Sequence, residues 1–113
     1  MNEKELISII ENWIDLIVDG NIDNAFAQLS SNEQCQSITK ETFSDTLSGL
    51  KLTSPKSMNN NEHAVIRFYE HEQGTNVEYG LPINNDWSTM TAIFEFFEID
   101  DQIQFSLVEL DEI

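Results

Sequence analysis

Three groups of residues in this 113-residue chain have the types that metal sites and active sites use. The first contains His63 and His71 with two carboxylates, Glu70 and Glu72, and so has the nitrogen and oxygen ligands of a zinc site. Successive side chains of a strand point to opposite faces, which directs His71 away from its two acidic neighbours. The pattern therefore favours an exposed strand edge, and we predict no metal ion there.

The second group contains Glu98, Asp100 and Asp101, whose oxygens could hold calcium, but the twelve-residue spacing with a central glycine is missing. The third is the single Cys35, which cannot form an internal disulfide and has no base or cation nearby to activate it. Phosphate-binding loops and known nucleophile motifs are also missing from the sequence. We therefore predict no enzymatic activity, no catalytic residue, no cofactor and no metal.

The formal net charge of −16 is concentrated near the end of the chain. Residues 1–38 carry −6 and residues 39–75 carry −1, whereas residues 76–113 hold nine acidic residues and no Lys or Arg. A field of this sign repels nucleic acids and anionic membranes and attracts a basic partner. The alternative is that the acidity only keeps a small protein in solution.

The sequence also bears on localisation. No stretch approaches the roughly 18 apolar residues of a membrane-spanning helix. The first residues include acids and lack the basic start of a secretory signal. These features predict a cytoplasmic protein that does not contact a membrane.

The first residues have the apolar spacing of a helix. Four apolar side chains recur at steps of four, three and four, namely Leu6, Ile10, Trp13 and Ile17. This spacing predicts a helix over residues 3–19, capped by Asn2 and ended by Gly20.

Two shorter helices are predicted after the first. One occupies residues 22–30 with Asp23 as its cap, and it should form a helical hairpin with the first helix. The other starts at Thr39 and buries Phe43 and Leu47 at a step of four.

The second half of the chain alternates between apolar and polar residues, as strands do. After a turn-rich break at Pro55, four strands are predicted at residues 63–72, 76–83, 87–99 and 102–110. The predicted fold is therefore α+β, with about three N-terminal helices packed on a four-stranded antiparallel sheet, a meander. We assign residues 1–113 to a single domain.

The last two strands can be paired residue by residue around a turn at Asp100–Asp101. The expected pairs are Phe96 with Phe105, Phe94 with Leu107, and Ala92 with Glu109. One face of this hairpin is then apolar and belongs to the core. The other face is mixed, with one acid and two polar residues among four apolar ones, and it holds Ile93, Glu95, Phe97, Gln104, Ser106, Val108 and Leu110. Such a mixed face suits a protein interface, and cover by the helices or by a terminal strand is the alternative.

The order of helices before a curved sheet also resembles the cone of the nuclear transport factor 2 (NTF2-like) family, whose helical opening is similar to DGNIDNAF here. This resemblance implies a pocket for a small ligand or an enzyme site. Members that are enzymes have inward-facing Asp and His residues, and this sequence has no matching His on its strands.

The C-terminal third resembles a family of small, uncharacterised bacterial proteins. The matching positions are Leu81, Pro82, Trp87, Ser88, Thr91 and the acidic tail from Glu109. In size, acidity and lack of catalytic motifs, the chain is also similar to the immunity proteins of bacterial contact-dependent growth inhibition systems. Those proteins bind and block a toxin domain, often a nuclease.

This second resemblance implies an immunity protein, or antitoxin, that neutralises a basic toxin domain. The alternatives are an NTF2-like ligand-binding protein or enzyme, and an acidic adaptor domain without activity. The predicted docking surface has acidic residues from the uncompensated third of the chain, namely Glu95, Glu98, Asp100, Asp101, Glu109, Asp111 and Glu112. Trp87 and Phe97 are its predicted apolar anchors. A rival surface on the first helix would use Glu11, Asp15 and Asp19.

Overall fold

The computed structural model of the chain describes residues 2–29, 40–58 and 65–112. The helices come first, and they are α1 (Glu3–Val18), α2 (Ile22–Gln28) and α3 (Lys40–Ser48), followed by one 3₁₀ turn at Pro55–Ser57. The strands are β1 (Ile66–His71), β2 (Gly74–Ile83), β3 (Asp86–Ile99) and β4 (Gln102–Glu112). They form one antiparallel sheet in the order β1-β2-β3-β4, which confirms the predicted α+β meander.

Helix α1 begins and ends where its sequence predicts. The side chain of Asn2 accepts a hydrogen bond from the backbone N–H of Glu5 at 2.8 Å, so one of the free donors of the first turn is satisfied. After the helix, Gly20 adopts a φ of +85°, a conformation that glycine takes without steric cost. The predicted stripe is buried, and Ile14, which the spacing argument omitted, is fully buried beside it.

The predicted cap of α2 is wrong by two positions. The carbonyl of Asn21 already accepts the first helical hydrogen bond, from the N–H of Ala25 at 3.0 Å, so Asp23 lies inside the first turn. The helix begins this early because the chain reverses at Gly20 and leaves no room for a longer connection. The predicted start of α3 at Thr39 lies outside the described residues, as do Cys35 and His63.

Trp13 joins the helices to the sheet. Its indole N–H donates to the carbonyl of Ala25 on α2 at 2.9 Å. Its ring lies 5.8 Å from that of Phe43 on α3 and meets the ring of Phe94 on β3 edge to face at 5.3 Å. A large apolar ring with its one polar atom satisfied is well suited to a position between layers. The core therefore lies between the helices and one face of the sheet.

The two faces of the sheet differ in what they contact. The core face is turned toward α1 and carries buried side chains of β2, β3 and β4, namely Val77, Tyr79, Leu81, Ala92, Phe94, Phe96, Phe105 and Leu107. The outer face is the opposite one. On its edge strands, the side chains of Arg67, Tyr69, Glu109 and Asp111 are exposed. Thr91 and Ser106, on the same face, are buried.

The pairing of β3 with β4 follows the prediction only in part. Phe96 pairs with Phe105 and Phe94 pairs with Leu107, as expected, but Ala92 pairs with Leu110 and not with Glu109. The register shifts between Ile93 and Phe94, which leaves Val108 as an extra residue in β4, a β-bulge. Without the bulge Glu109 would face the core. The bulge is favoured because it partly buries Leu110 and leaves the Glu109 carboxylate in water.

Candidate protein-binding surface

The turn between β3 and β4 carries two exposed acidic residues at the end of the sheet. Asp100 and Asp101 have φ values of +53° and +63°, the left-handed conformation of a two-residue hairpin turn. Glu98 is exposed just before them and pairs with Ile103 across the hairpin. We call these three acidic residues the tip cluster.

A second acidic group lies on the outer face of the same hairpin. Glu109 pairs with Ile93 and Asp111 pairs with Thr91, and both acidic side chains are exposed. Glu95 belongs to the same face, pairs with Ser106 and is half-buried. Glu109, Asp111 and Glu95 form what we call the outer-face cluster.

The remaining acid of the predicted surface, Glu112, ends β4 opposite Met90. Asp101 and Asp111 stand ten residues apart along an extended strand, which is about 33 Å at roughly 3.3 Å per residue. The hairpin therefore places the predicted acidic residues in two groups, one at the tip and one on the outer face, and this distance separates their far ends. A partner would have to be domain-sized to cover both.

The two predicted anchors are less accessible than the sequence indicates. Phe97 is only 7 % exposed, so it offers little area to a partner. Trp87 is half-buried, and its ring lies 6.4 Å from that of Tyr79. Its indole nitrogen is buried without a hydrogen-bond partner in the described part of the chain.

Two other apolar side chains are exposed beside the acidic residues. Ile99, next to the tip cluster, is 42 % exposed, and Val108, next to Glu109, is 38 % exposed. Regular alternation already places Val108 on the mixed face, but the sequence analysis selected neither Val108 nor Ile99 as an anchor. The signal for Val108 is the pair Leu107–Val108, two consecutive apolar residues that interrupt the alternation at the bulge.

The stretch from Trp87 to Thr91 has a structural role. Opposite Leu81, β3 carries three residues where β2 has one, so the backbone there cannot pair fully. The Ser88 hydroxyl donates to the carbonyl of Leu81 at 2.7 Å and accepts from the N–H of Met90 at 3.2 Å. One side chain thus replaces the missing sheet contacts.

The acidic residues of α1 have partners within the chain. Glu11 accepts a hydrogen bond from the Tyr79 hydroxyl at 3.3 Å. Asp15 forms an ion pair with Lys56 at 3.3 Å, and Lys56 also donates to Asn12. Two of the three acids of the rival surface therefore hold α1 to the sheet and to the 3₁₀ turn, which weakens the case for that surface.

Two of the five cations have carboxylate partners outside the tip and outer-face clusters. Lys56 is held by α1, and Arg67 on β1 lies 3.9 Å from Glu78 on β2. Residues 76–113 have no Lys or Arg of their own, so any compensating charge must come from another element or another molecule. The β3–β4 hairpin therefore contributes only negative charge to the electrostatic potential around it.

The described residues contain neither a metal-binding cluster nor a membrane-spanning helix. Within the described ranges no three His, Cys, Asp or Glu side chains lie close enough together to hold a metal ion. Over the same ranges, no helix has the length and apolar character needed to cross a membrane. Comparison with protein-family models, with curated proteins and with solved structures finds no match to this chain.

Proposed function

We propose that this chain is an immunity protein that binds and neutralises a basic toxin domain, a nuclease, through the acidic end of its sheet. The observation that carries the proposal is the tip cluster, three exposed acids in the part of the chain that has no Lys or Arg. A nuclease cleft is rich in Lys and Arg because it must attract polyanionic nucleic acid. Carboxylates can occupy the positions that phosphates would take.

In this proposal, charge and apolar contact have different tasks. Exposed acids at the rim of an interface mainly raise the association rate, by about 10- to 1000-fold at low salt. Affinity comes mostly from apolar side chains that lose their contact with water. Ile99 supplies such a side chain at the tip, and Val108 supplies one beside the outer-face cluster.

The ligand-binding alternative receives no support from the core face. In an NTF2-like cone the concave face of the sheet holds the ligand. Here Val77, Tyr79, Phe94 and Phe96 on that face are each 0 % exposed, so side chains fill the space. We therefore put forward the protein-binding function alone.

We expect the toxin domain to be encoded by a neighbouring gene, and the test is growth protection when that domain is co-expressed with this chain. Reversing the tip cluster to Lys at Glu98, Asp100 and Asp101 should abolish protection while the circular-dichroism spectrum stays that of the folded parent. The melting temperature should fall by only a few degrees, because Lys tolerates the positive φ of positions 100 and 101 less well than Asp. A single reversal, Asp101→Lys, should slow association and flatten its salt dependence.

A matched control reverses Glu3 and Glu5 at the start of α1 and Asp86 at the opposite end of the sheet, and all three side chains are exposed. Both triple variants change the net charge from −16 to −10, so only the position of the charges differs. Protection by the tip variant equal to that by the control would refute the proposal that the tip docks the toxin.

A further inference from the structure

The outer face of the sheet contains a cavity of about 200 Å³ near the start of β1. The residues that line it come from three strands and the segment before them, and they are Val65, Arg67, Glu78, Gly80, Ser88, Thr89 and Thr91. Gly80 and Thr91 are buried and form its floor, whereas Val65 and Arg67 are exposed at its rim. The cavity is thus an open pocket on the face that also carries Glu109 and Asp111.

The pocket has two local causes in the sequence. Gly80 leaves a space where any other residue would place a side chain on the outer face. On the neighbouring strand, the extra residues opposite Leu81 displace the backbone of β3, and Ser88 holds that irregular segment in place. The strand conformation at this point therefore creates a cavity that regular pairing would close.

The wall of the pocket offers mostly apolar contact. The Ser88 hydroxyl is engaged with Leu81 and Met90, and the Thr91 hydroxyl donates to the carbonyl of Thr89 at 3.2 Å. With these hydroxyls satisfied, carbon atoms of Val65, Gly80 and Thr91 remain for a ligand to contact. An extended hydrocarbon segment suits such a wall.

Carboxylates lie along one side of the pocket. Glu78 is on its rim. Thr91, on the floor, pairs with Asp111 on β4. Ile93 on β3 lies between Glu78 on β2 and Glu109 on β4 and pairs with both. Directly opposed residues of antiparallel strands have Cα atoms about 4.5–5.5 Å apart, so these carboxylates are within one or two strand widths of the pocket.

We propose that this pocket receives a Lys or Arg side chain of the basic partner. The aliphatic stem lies against Val65, Gly80 and Thr91, and the cationic end reaches Glu78 with Glu109 and Asp111 beyond it. This inference rests on the proposed function, since it takes the partner to be basic, and it adds a specific contact distant from the tip cluster.

Arg67 does not remove this role for Glu78. Its guanidinium is 3.9 Å from the Glu78 carboxylate, at the outer limit of an ion pair, and its side chain is 58 % exposed. A second cation can share the carboxylate without displacing a tightly held partner. An anionic ligand, in contrast, would meet Arg67 together with three carboxylates and a chain of charge −16.

The pocket can be tested without the toxin. We would titrate ¹⁵N-labelled protein with N-acetyl-lysine methylamide and follow backbone amide shifts by NMR. The norleucine analogue keeps a similar stem without the charge, and N-acetyl-glutamate reverses the charge. We expect saturable shifts at Val65, Gly80 and Thr91 with the lysine probe, and about three- to fivefold weaker binding of norleucine, the size of one exposed ion pair.

Two variants separate the stem from the charge. Gly80→Val should fill the pocket and abolish binding of both the lysine and norleucine probes. Glu78→Gln should remove most of the preference for lysine over norleucine and leaves the shape of the pocket intact, so it answers the question even if Gly80→Val does not fold. The charge-matched control, Glu72→Gln at the β1–β2 turn, should bind like the parent.

Three results would overturn the proposal. These are equal binding of norleucine and lysine by the parent, stronger binding of the glutamate probe, and shifts that occur away from the pocket. Growth protection distinguishes the two proposals. If Gly80→Val protects fully and the tip variant does not, the toxin binds at the tip and this pocket is not used.

Discussion

The hydroxyl of Tyr79 on β2 donates a hydrogen bond to a carboxylate oxygen of Glu11 on α1 at 3.3 Å, and so joins the sheet to the first helix. Tyr79 is 0 % exposed. Burial disfavours the phenolate, and the negative charges of Glu11 and Asp15 disfavour it further. Together they raise the pKa of Tyr79 well above its ordinary value of about 10.

This pKa shift predicts a loss of stability in alkali. The folded state holds the Tyr79 proton more tightly than the unfolded state, so the stabilisation is fully present below about pH 10 and decreases as the pH rises above that value. Urea unfolding between pH 8 and pH 11 should show the decrease. Tyr79→Phe should flatten the curve, whereas Tyr69→Phe, at an exposed tyrosine, should leave it unchanged. Identical slopes in the two variants would contradict the assignment.

Removal of a core ring should cost much of the stability of the protein. Phe94 contacts the rings of Trp13, Phe96 and Phe105, and it is 0 % exposed. Phe94→Ala or Phe105→Ala should lower the free energy of unfolding by about 3–5 kcal/mol, because each leaves a large cavity. Tyr69→Ala, at an exposed site, should cost less than about 1 kcal/mol. A melting temperature within two degrees of the parent for Phe94→Ala would argue against this core.

Two glycines of the same strand should respond differently to alanine. A Cβ at Gly74 would lie 1.9 Å from the carbonyl oxygen of Phe96, whereas a Cβ at Gly80 would approach no atom closer than 3.4 Å. Gly74→Ala must displace β3 and should cost about 2–3 kcal/mol in chemical denaturation. Gly80→Ala should range from neutral to a gain of about 1 kcal/mol, since it restricts the unfolded chain. Equal changes in stability for the two variants would mean that β2 and β3 do not lie as close together at Gly74 as the structure shows.

A substitution at Asp101 in the tip turn should have opposite effects on stability and on partner binding. Asp101 has a φ of +63°, where glycine has no steric cost, so Asp101→Gly should stabilise the protein by about 0.5–1 kcal/mol. The same change should slow association with the proposed basic partner, because it removes a tip carboxylate. Asp101→Asn tolerates the same backbone conformation and should slow association with little gain in stability. A glycine variant that associates as fast as the parent would place the docking charge elsewhere.

Local chemistry was sufficient to predict most elements of the fold from the sequence. The spacing of four and three residues predicted the buried side chains of α1, which are Leu6, Ile10, Trp13 and Ile17. Asn2 and Gly20 predicted the ends of the helix, because capping depends on residues that are close in sequence. Strict alternation likewise placed Val77, Tyr79 and Leu81 on the core face. The acidic surplus of residues 76–113 is a property of composition and needed no structure.

Only the tertiary structure decided how these elements present a surface. The bulge at Val108 turns Leu110 to the core and Glu109 outward. It forms because the register of a hairpin depends on which side chains are buried on both strands together. The same cooperative packing separated the acidic residues into two clusters, buried Phe97, exposed Ile99 and opened the pocket at Gly80. Each of these outcomes depends on contacts between residues distant in sequence, which no local pattern contains.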